Sequence, residues 1–419
     1  MRTTVTCRET LSRRRLLAAG AAGAFAGLAG SQLDTQLAFA ADPAYSGDVL
    51  VLLSLRGGFD GLSAVVPAGD PAYYTARPTI GVPKSQLIGA GSFFGLHPAL
   101  APLLPFWNSG RLAAIQAVGQ PAPNRSHFSA MEELERAAPG TSLRTGWLNR
   151  MLGTLHAGDP FDAIAMGTAR PARVLAGPAP YLGVTSVDGL ALSGDDATKP
   201  LAATMAALYR GAPAGLTGPV NQLTGALARA KALKAAGYTP ANGAVYPATD
   251  LGGALRDVAR LIKARAGLMT ATVDSGDWDM HENLGIAQTG RRMHDQLAQL
   301  AAAIAAFATD LGADGLRRVT LITISEFGRR VAQNGSAGLD HGYGNAMFVL
   351  GGGVRGGQVY GTWPGLSPAQ LCDGDLAVTT DYRAVIGEIL RTRCGVGDVA
   401  SVFPGVTPSS LGLVSGITG

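Results

Sequence analysis

Acid and imidazole side chains surround one glycine-rich loop in the last quarter of the chain. The stretch TISEFGRRVAQNGSAGLDHGYGNAMFVLGGG runs from Thr323 to Gly353 and contains Glu326, Asp340 and His341 directly after an apolar run. Carboxylate oxygens and imidazole nitrogens are the groups with which proteins bind divalent metal ions. The loop therefore predicts a metal site with Glu326, Asp340 and His341 among its ligands.

Two other segments present residues of the same types. LRGGFDG carries Asp60 on a glycine turn, where an aspartate also serves as an ordinary turn or cap residue. ATVDSGDWDMHENLG packs Asp274, Asp277, Asp279 and His281 into eight residues. Carboxylates so close together repel each other unless a cation neutralises them. We therefore expect this segment to supply ligands to the same site.

A serine and a histidine stand at the predicted start of a helix in VGQPAPNRSHFSAMEELERA. Helix N-termini present free N–H groups, which suit an anion and a nucleophilic oxygen at Ser126, beside His127. The alternative is that Ser126 only caps the helix. Ser129 competes for that position, because Glu132 follows it at the spacing of a capping box.

Apolar runs alternate with helical patterns over most of the chain. Predicted strands lie at Asp48–Leu55, Arg111–Val118, Phe161–Met166, Arg317–Ser325 and Ala346–Leu350. Apolar residues at helical spacing predict helices over Gly253–Met269 and Gly290–Leu311. This alternation predicts an α/β fold with a mostly parallel sheet and helices on both faces. In such a sheet functional residues gather at the carboxyl ends of the strands.

The segment from about Asp188 to Asp250 differs in composition. It is rich in Ala, Gly, Thr and Pro, with short helical patterns near Ala202–Tyr209 and Gln222–Lys234. We interpret residues 188–250 as a small helical, cap-like insertion in a single domain that covers residues 41–419. No stretch beyond the N-terminal segment predicts a membrane span.

Charge gives little support to nucleic acid as a partner. The formal net charge is +4, but residues 1–40 contain five Arg against one Glu and one Asp. Without them the chain has 29 basic and 28 acidic residues, a net charge of +1. There is no basic patch with interleaved aromatic residues, so we expect no nucleic acid partner.

Residues 1–40 resemble a twin-arginine export signal. The arginine cluster Arg13–Arg15 precedes a weakly hydrophobic Ala/Gly/Leu stretch, and small residues at Ala38–Ala40 supply a cleavage site before Ala41. We expect export to the periplasm or the extracellular space, with an uncleaved membrane anchor as the alternative. Cys372 and Cys394 then remain, either as one disulfide or as two free thiols.

Six motifs together resemble a bacterial exported family. LRGGFDGL, LHPALAPL, NRSHFSA, DWDMHEN, SEFGRR and GLDHGYGNAMFVLGGGVRGGQVYG occur in this order between about Val49 and Leu366. The family carries the label domain of unknown function 1501 and is placed within the alkaline-phosphatase-like superfamily. The resemblance implies an alkaline-phosphatase-like three-layer sandwich. It also implies one or two divalent ions, zinc foremost, with manganese, calcium or iron as alternatives.

The resemblance also implies roles for individual residues. Asp60 is similar to the metal ligand that follows the first strand, and Ser126 to the nucleophile at a helix start. Asp279 and His281 resemble the aspartate and histidine of one metal site. Glu326 stands where the superfamily's Asp-His-Gly motif follows its strand. Asp340 and His341 resemble the later motif that carries a histidine.

The chain also departs from the superfamily pattern. Phe327 follows Glu326 where a histidine is expected, and Asp277 competes with Asp279 because it has the superfamily's spacing to His281. There is no Cys-x-Pro-x-Arg or Ser-x-Pro-x-Arg stretch, which argues against formylglycine-type sulfatase chemistry. The few histidines leave a single-metal site or an inactive relative open.

We expect an exported metal-dependent hydrolase of a small-molecule or polymer-borne phosphate or sulfate ester. Ser126 or a water molecule would attack, while Arg125, His127 and Arg329 would bind the anionic substrate. The arginines serve equally well in ordinary salt bridges. The first alternative is an inactive binding or assembly protein with a protein partner. The second is a metal-free esterase, although no Gly-x-Ser-x-Gly elbow surrounds Ser126.

Overall fold

The computed structural model describes residues 45–417 except residues 90, 123, 170, 171, 197, 286, 407 and 408, so the predicted export signal over residues 1–40 lies outside it. The strands are β1 (Val49–Leu55), β2 (Val65–Val66), β3 (Gly95–Leu96), β4 (Leu112–Gly119), β5 (Ala163–Met166), β6 (Leu182–Val184), β7 (Thr270–Ser275), β8 (Val319–Ile324), β9 (Asn345–Gly351), β10 (Val359–Tyr360) and β11 (Thr380–Asp381). The α-helices are α1 (Gly61–Ala64), α2 (Pro71–Ala76), α3 (Leu104–Asn108), α4 (His127–Arg136), α5 (Trp147–Thr154), α6 (Leu201–Leu208), α7 (Ala214–Ala236), α8 (Asp250–Lys263), α9 (Arg292–Leu316), α10 (Tyr382–Arg393) and α11 (Val399–Val402).

Nine of the strands form one mixed, mostly parallel sheet. Its order is β10-β4-β9-β8-β1-β7-β5-β6, and β11 pairs with β4. Strand β1 runs parallel to both β7 and β8, whereas β9 runs antiparallel to β8 and β4. The prediction of an α/β fold with a mostly parallel sheet is confirmed.

Apolar side chains bury both faces of the central strands. Leu50 and Leu52 of β1 belong to a core that includes Trp147 of α5 and Ile386 of α10. Val51, which points to the opposite face by the two-residue period of a strand, is also fully buried. A strand covered on both faces needs a continuous apolar sequence, and VLVLLSL supplies it.

The direction of the strands brings four loops to one edge of the sheet. Because β9 is antiparallel to both β4 and β8, β4 and β8 run in the same direction as β1 and β7. The segments that follow β1, β4, β7 and β8, and the segment that enters β9, therefore meet at the carboxyl edge. These segments carry the residues that the sequence singled out for chemistry.

Residues 187–237 form a small unit of their own, and the remaining described residues form the larger one. Helices α6 and α7 of the small unit contact each other, and no residue of α6 is buried. Residues 238–250 belong to the larger unit, where the hydroxyls of Tyr238 and Tyr246 donate hydrogen bonds to Asp310.

The two described cysteines are free thiols. Cys372 is exposed and Cys394 is buried, and no disulfide joins them. None of the helices in the described part of the chain has the length and apolar character needed to cross a bilayer.

Candidate metal centre

Four side chains converge at the carboxyl edge of the sheet. His127 opens α4, Asp279 and His281 follow β7, and His341 precedes β9. The Nε2 atoms of His127 and His281 each lie 3.0 Å from Nε2 of His341. Oδ1 of Asp279 lies 3.0 Å from Nε2 of His281 and 3.3 Å from Nε2 of His341, and its Oδ2 lies 3.5 Å from Nε2 of His127. We refer to these four residues as the histidine–aspartate cluster.

The cluster is accessible from solvent. The three imidazoles are 22–43% exposed and the Asp279 side chain is 48% exposed. One ligand atom each from His127, Asp279 and His341 lies within 4.8 Å of the other two. A small molecule can therefore reach these atoms without any rearrangement of the core.

The other ring nitrogen of each histidine is held by an acceptor. Nδ1 of His127 lies 2.8 Å from Oε1 of Glu326, and Nδ1 of His281 lies 2.9 Å from Oδ1 of Asp340. Nδ1 of His341 lies 2.8 Å from the carbonyl oxygen of Arg125. Oxygen acceptors at all three Nδ1 atoms favour the tautomer with the proton on Nδ1, which leaves Nε2 as the ligand atom of each ring.

A divalent cation fits this donor set. In neutral rings with Nδ1 protonated, the three Nε2 atoms carry lone pairs, which repel each other at 3.0 Å unless a cation lies between them. Ligands of a tetrahedral zinc ion, at roughly 2.0–2.2 Å from the metal, lie about 3.3 Å from one another. The 3.0 Å distances from Nε2 of His341 to those of His127 and His281, and the 3.3 and 3.5 Å distances from the Asp279 carboxylate to His341 and His127, are close to that value.

A family model described as "Protein of unknown function (DUF1501)" matches residues 107–386. The chain belongs to this family. All four cluster residues lie inside the DUF1501 match, as do Glu326 and Asp340, whereas Asp60 lies outside it. No curated protein matches the chain.

Arg329 holds the carboxylate of the cluster. Its Nη2 donates to Oδ1 of Asp279 over 2.7 Å, and its Nη1 lies 3.4 Å from Nε2 of His281. Although partial burial raises the pKa of Asp279, the hydrogen bond and charge of Arg329 outweigh it and lower that pKa to about 2. The carboxylate is therefore ionised and ready to bind a cation at neutral pH.

The guanidinium of Arg329 is buried and donates all its hydrogen bonds to protein acceptors. The side chain is only 1% exposed. Its other acceptors are the carbonyl oxygens of Gly57, Gly58, Trp278 and Leu339. We predicted Arg329 to bind substrate, but these bonds use all three of its nitrogens. We assign it instead to positioning Asp279 and joining the loops that follow β1, β7 and β8.

Phe327 forms an apolar wall beside the cluster. Its ring centroid lies 4.7 Å from that of His127 and 4.8 Å from that of His341, and the side chain is buried. At the position where the resemblance predicted a histidine, Phe327 thus packs against two imidazoles and restricts their orientation.

Glu326 and Asp340, both predicted as ligands, contact the Nδ1 atoms of His127 and His281 and not their Nε2 atoms. Glu326 is buried, and its Oε1 also accepts a hydrogen bond from the backbone N–H of Gly57 over 2.9 Å. Asp340 is exposed, and the hydrogen bond to His281 is the main cause of its lowered pKa. Both carboxylates orient imidazoles rather than point at the place where a cation would lie.

Asp60, also predicted as a ligand, is not part of the cluster. Its two carboxylate oxygens accept hydrogen bonds from Nη1 and Nη2 of Arg77 over 2.6 and 3.0 Å. Both side chains are buried, and Nη1 of Arg77 also donates to Ser63. This buried bidentate pair neutralises the Asp60 carboxylate with a guanidinium, so its charge is balanced without a metal ion.

Ser126 lies at the rim, next to His127 in the chain. It is the exposed N-cap residue of α4, but its hydroxyl makes no capping hydrogen bond. Arg125, predicted to bind substrate, holds Asp375 through Nε over 3.0 Å and stacks on Tyr343. Its carbonyl oxygen anchors His341, so Arg125 supports the cluster mainly through its backbone.

The structure also separates two alternatives that the sequence left open. Asp279 belongs to the cluster, whereas Asp277 is exposed and has a left-handed backbone with φ of +65°. His127 was predicted to bind substrate, and it joins the candidate ligands instead. The signal for this role was present: a histidine at the first position of a helix that follows a carboxyl strand end.

Proposed function

We propose that this chain is a metal-dependent hydrolase of phosphate or sulfate esters. The observation that carries the proposal is the convergence of three Nε2 atoms and one carboxylate, each imidazole being oriented by an oxygen at Nδ1. When bound, a divalent cation would polarise a phosphoryl or sulfuryl oxygen and lower the pKa of the attacking hydroxyl or water.

The donor set favours one ion, and zinc above the others. Three imidazoles and one carboxylate suit zinc, whereas calcium and magnesium prefer oxygen ligands alone. Two positions that could have supplied ligands to a second ion do not do so among the described residues. Asp60 is paired with Arg77, and Phe327 stands where the resemblance predicted a histidine. We therefore propose a site for a single ion.

The residues around the cluster have different proposed roles. Glu326, Asp340 and the Arg125 carbonyl orient the imidazoles, and Arg329 keeps the Asp279 carboxylate ionised and in place. The exposed Ser126 hydroxyl, with no capping bond to hold it, is the proposed nucleophile, and a water molecule is the alternative. Ser126→Ala decides between them, since it abolishes turnover only if the hydroxyl attacks.

The fold and the N-terminal sequence support a wider assignment. A mostly parallel sheet with the cluster at its carboxyl edge is consistent with an alkaline-phosphatase-like three-layer sandwich. The arginine cluster and the small residues near Ala40 support export by the twin-arginine route to the periplasm or beyond. We include both in the proposal.

Two successive measurements, of metal content and then of turnover, test the proposal. The purified protein is analysed for zinc, manganese, iron and calcium, before and after reconstitution, and then assayed on phosphomonoesters, phosphodiesters and sulfate esters. We expect about one equivalent of metal, with metal and turnover both lost in His341→Ala. His156→Asn, at an exposed histidine with a left-handed backbone that asparagine tolerates, is the matched control. Absence of metal after reconstitution overturns the proposal.

A second candidate function is an exported binding or assembly protein without turnover. It is favoured by Asp60, which Arg77 engages, and by Phe327, which stands where a histidine was expected. Stoichiometric metal that is lost in His341→Ala, with no turnover of any ester class, would support this candidate over the hydrolase.

A further inference from the structure

A cavity lies at the other end of strand β4 from the histidine–aspartate cluster. It has a volume of about 430 Å³ and is bordered by Gly89, residues 91–96, the end of α3 and residues 357–359. Trp107 and Asn108 come just before β4, whereas His127 comes after it. An extended strand of this length spans roughly 25 Å. The cavity is therefore separate from the candidate metal centre, and its volume falls within the range of small-molecule sites.

The lining of the cavity contains no charged residue among the described positions. The lining residues are Gly89, Gly91, Ser92, Phe93, Phe94, Gly95, Leu96, Trp107, Asn108, Gly357, Gln358 and Val359. A charged ligand would lose its hydration here without gaining an ionic partner. The lining therefore favours an uncharged ligand. Its aromatic rings can contact an apolar surface of that ligand, and its amides and hydroxyl can form hydrogen bonds with polar groups.

The aromatic rings are held in place from behind. Phe93 and Phe94 contact each other edge to face at 4.9 Å, and both contact Trp363, at 6.1 and 5.3 Å. The indole N–H of Trp363 donates to Asp70, which fixes that ring in turn. Gly69 has no side chain, and this makes room for the ring of Phe93. A Cβ at Gly69 would lie 2.4 Å from that ring. The rings thus form a fixed, half-buried surface.

Polar groups with unused hydrogen-bonding capacity surround these rings. Trp107 is only 7% exposed, yet its indole N–H donates to no residue in the described part of the chain. Gly89 stands beside it, since a Cβ at Gly89 would lie 3.2 Å from Nε1. Gln358 donates from Nε2 to Tyr360, which leaves Oε1 as an acceptor, and Asn108 is exposed. A ligand here meets both donors and acceptors.

We propose that this cavity binds one neutral sugar ring. A sugar ring is uncharged, presents a flat face of C–H groups that packs on aromatic rings, and carries hydroxyls that both donate and accept hydrogen bonds. These properties match the rings of Phe93 and Phe94, the indole N–H of Trp107, and the amides of Asn108 and Gln358. The inference does not depend on the proposed hydrolase activity.

Fluorine NMR provides a readout at the site itself. The full chain, with its four tryptophans labelled as 5-fluorotryptophan, is titrated with methyl glycosides of glucose, galactose, mannose and N-acetylglucosamine and with their linear oligomers. The Trp107 signal is assigned from Trp107→Phe. We expect a saturable shift of that signal with at least one sugar. A response to methyl glycosides indicates a site for a free sugar, and a response to oligomers alone indicates a site within a glycan chain.

Two exposed amides supply variants that leave the fold intact. Asn108→Ala and Gln358→Ala each remove one hydrogen-bonding group and should weaken binding roughly ten-fold. Asn221→Ala, at an exposed amide in the small helical unit, is the matched control and should bind as the wild type does. No shift with any sugar overturns the proposal, and so does a shift that both lining variants leave unchanged.

Discussion

Nδ1 of His127 lies 2.8 Å from Oε1 of Glu326, although 199 residues separate them in the chain. The contact joins the first residue of α4 to the loop that follows β8. Glu326 is buried while His127 is half-buried, so the carboxylate holds the ring from the protein side and leaves Nε2 toward solvent. A carboxylate that orients an imidazole through Nδ1 is the arrangement expected of a metal-binding histidine, which supports the proposed site.

Loss of the Glu326 charge should weaken metal binding. Glu326→Gln keeps the size of the side chain but removes the negative charge that increases the basicity of His127. We expect metal affinity to fall by about 10–100-fold, measured by competition with a chromogenic chelator. Glu282→Gln, at an exposed carboxylate next to His281 in the chain, is the control and should bind metal as the wild type does. Equal affinities of Glu326→Gln and wild type would contradict the assignment.

Asp60 should matter for stability rather than for metal binding. Asp60→Asn leaves the buried guanidinium of Arg77 without its partner charge, which costs about 3–5 kcal/mol of unfolding free energy. Metal content per folded protein should stay at the wild-type level. Urea unfolding and elemental analysis of the same preparation measure both quantities. Asp274→Asn breaks a partly exposed pair with Arg56 and should cost at most about 1 kcal/mol. A stable Asp60→Asn protein without metal would make Asp60 a ligand after all.

The sheet was predictable because its strands are buried on both faces. The apolar runs around β1, β4, β8 and β9 cannot be satisfied at a surface, so the sequence alone locates them to within two residues at either end. The antiparallel direction of β9 was not predictable from its sequence. A run of buried residues looks the same in either direction, and only the partners fix the orientation.

The residue types of the candidate site were predictable, but not which carboxylates face the proposed ion and which orient the imidazoles. The sequence predicted Glu326 and Asp340 as metal ligands, yet a carboxylate that only orients an imidazole has the same sequence signature as one that would contact an ion. Asp60 shows the same limit. Its partner Arg77 lies 17 residues away, and nothing in the spacing indicates that the two side chains meet. Only the folded arrangement separates these roles.

His97 should make the protein less stable in mild acid. Burial and the nearby charge of His294 lower its pKa to about 4, despite the opposing effect of Asp60. The unfolded chain takes up this proton near pH 6.5, so the free energy of unfolding falls by about 1.4 kcal/mol per pH unit as pH falls from about 6.5 to about 4. Stability at neutral pH is unaffected by this term.

His97→Asn should remove that part of the pH dependence. His97 caps the short 3₁₀-helix Pro98–Leu103, where its Nδ1 accepts a hydrogen bond from the backbone N–H of Ala99 over 3.1 Å. Asparagine keeps an acceptor for that N–H, so the cap is retained. Urea unfolding at pH 7, 5.5 and 4.5 measures the effect, with exposed His156→Asn as control. If the unfolding free energy of His97→Asn falls with pH as steeply as that of the wild type, groups other than His97 cause the loss of stability in acid.

Arg329→Lys should damage the cluster although it conserves the charge. The guanidinium donates to carbonyl oxygens of three loops and to Asp279 at the same time, and a lysine ammonium has only three donors on one atom. We expect lower thermal stability and weaker metal binding together, because Asp279 loses the bond that holds it. Arg330→Lys, at the next residue and 41% exposed, should change either quantity little. Thermal melts with and without zinc measure both effects. If Arg329→Lys keeps the full zinc-dependent rise in melting temperature, Asp279 needs no such anchor and the assigned role of Arg329 is incorrect.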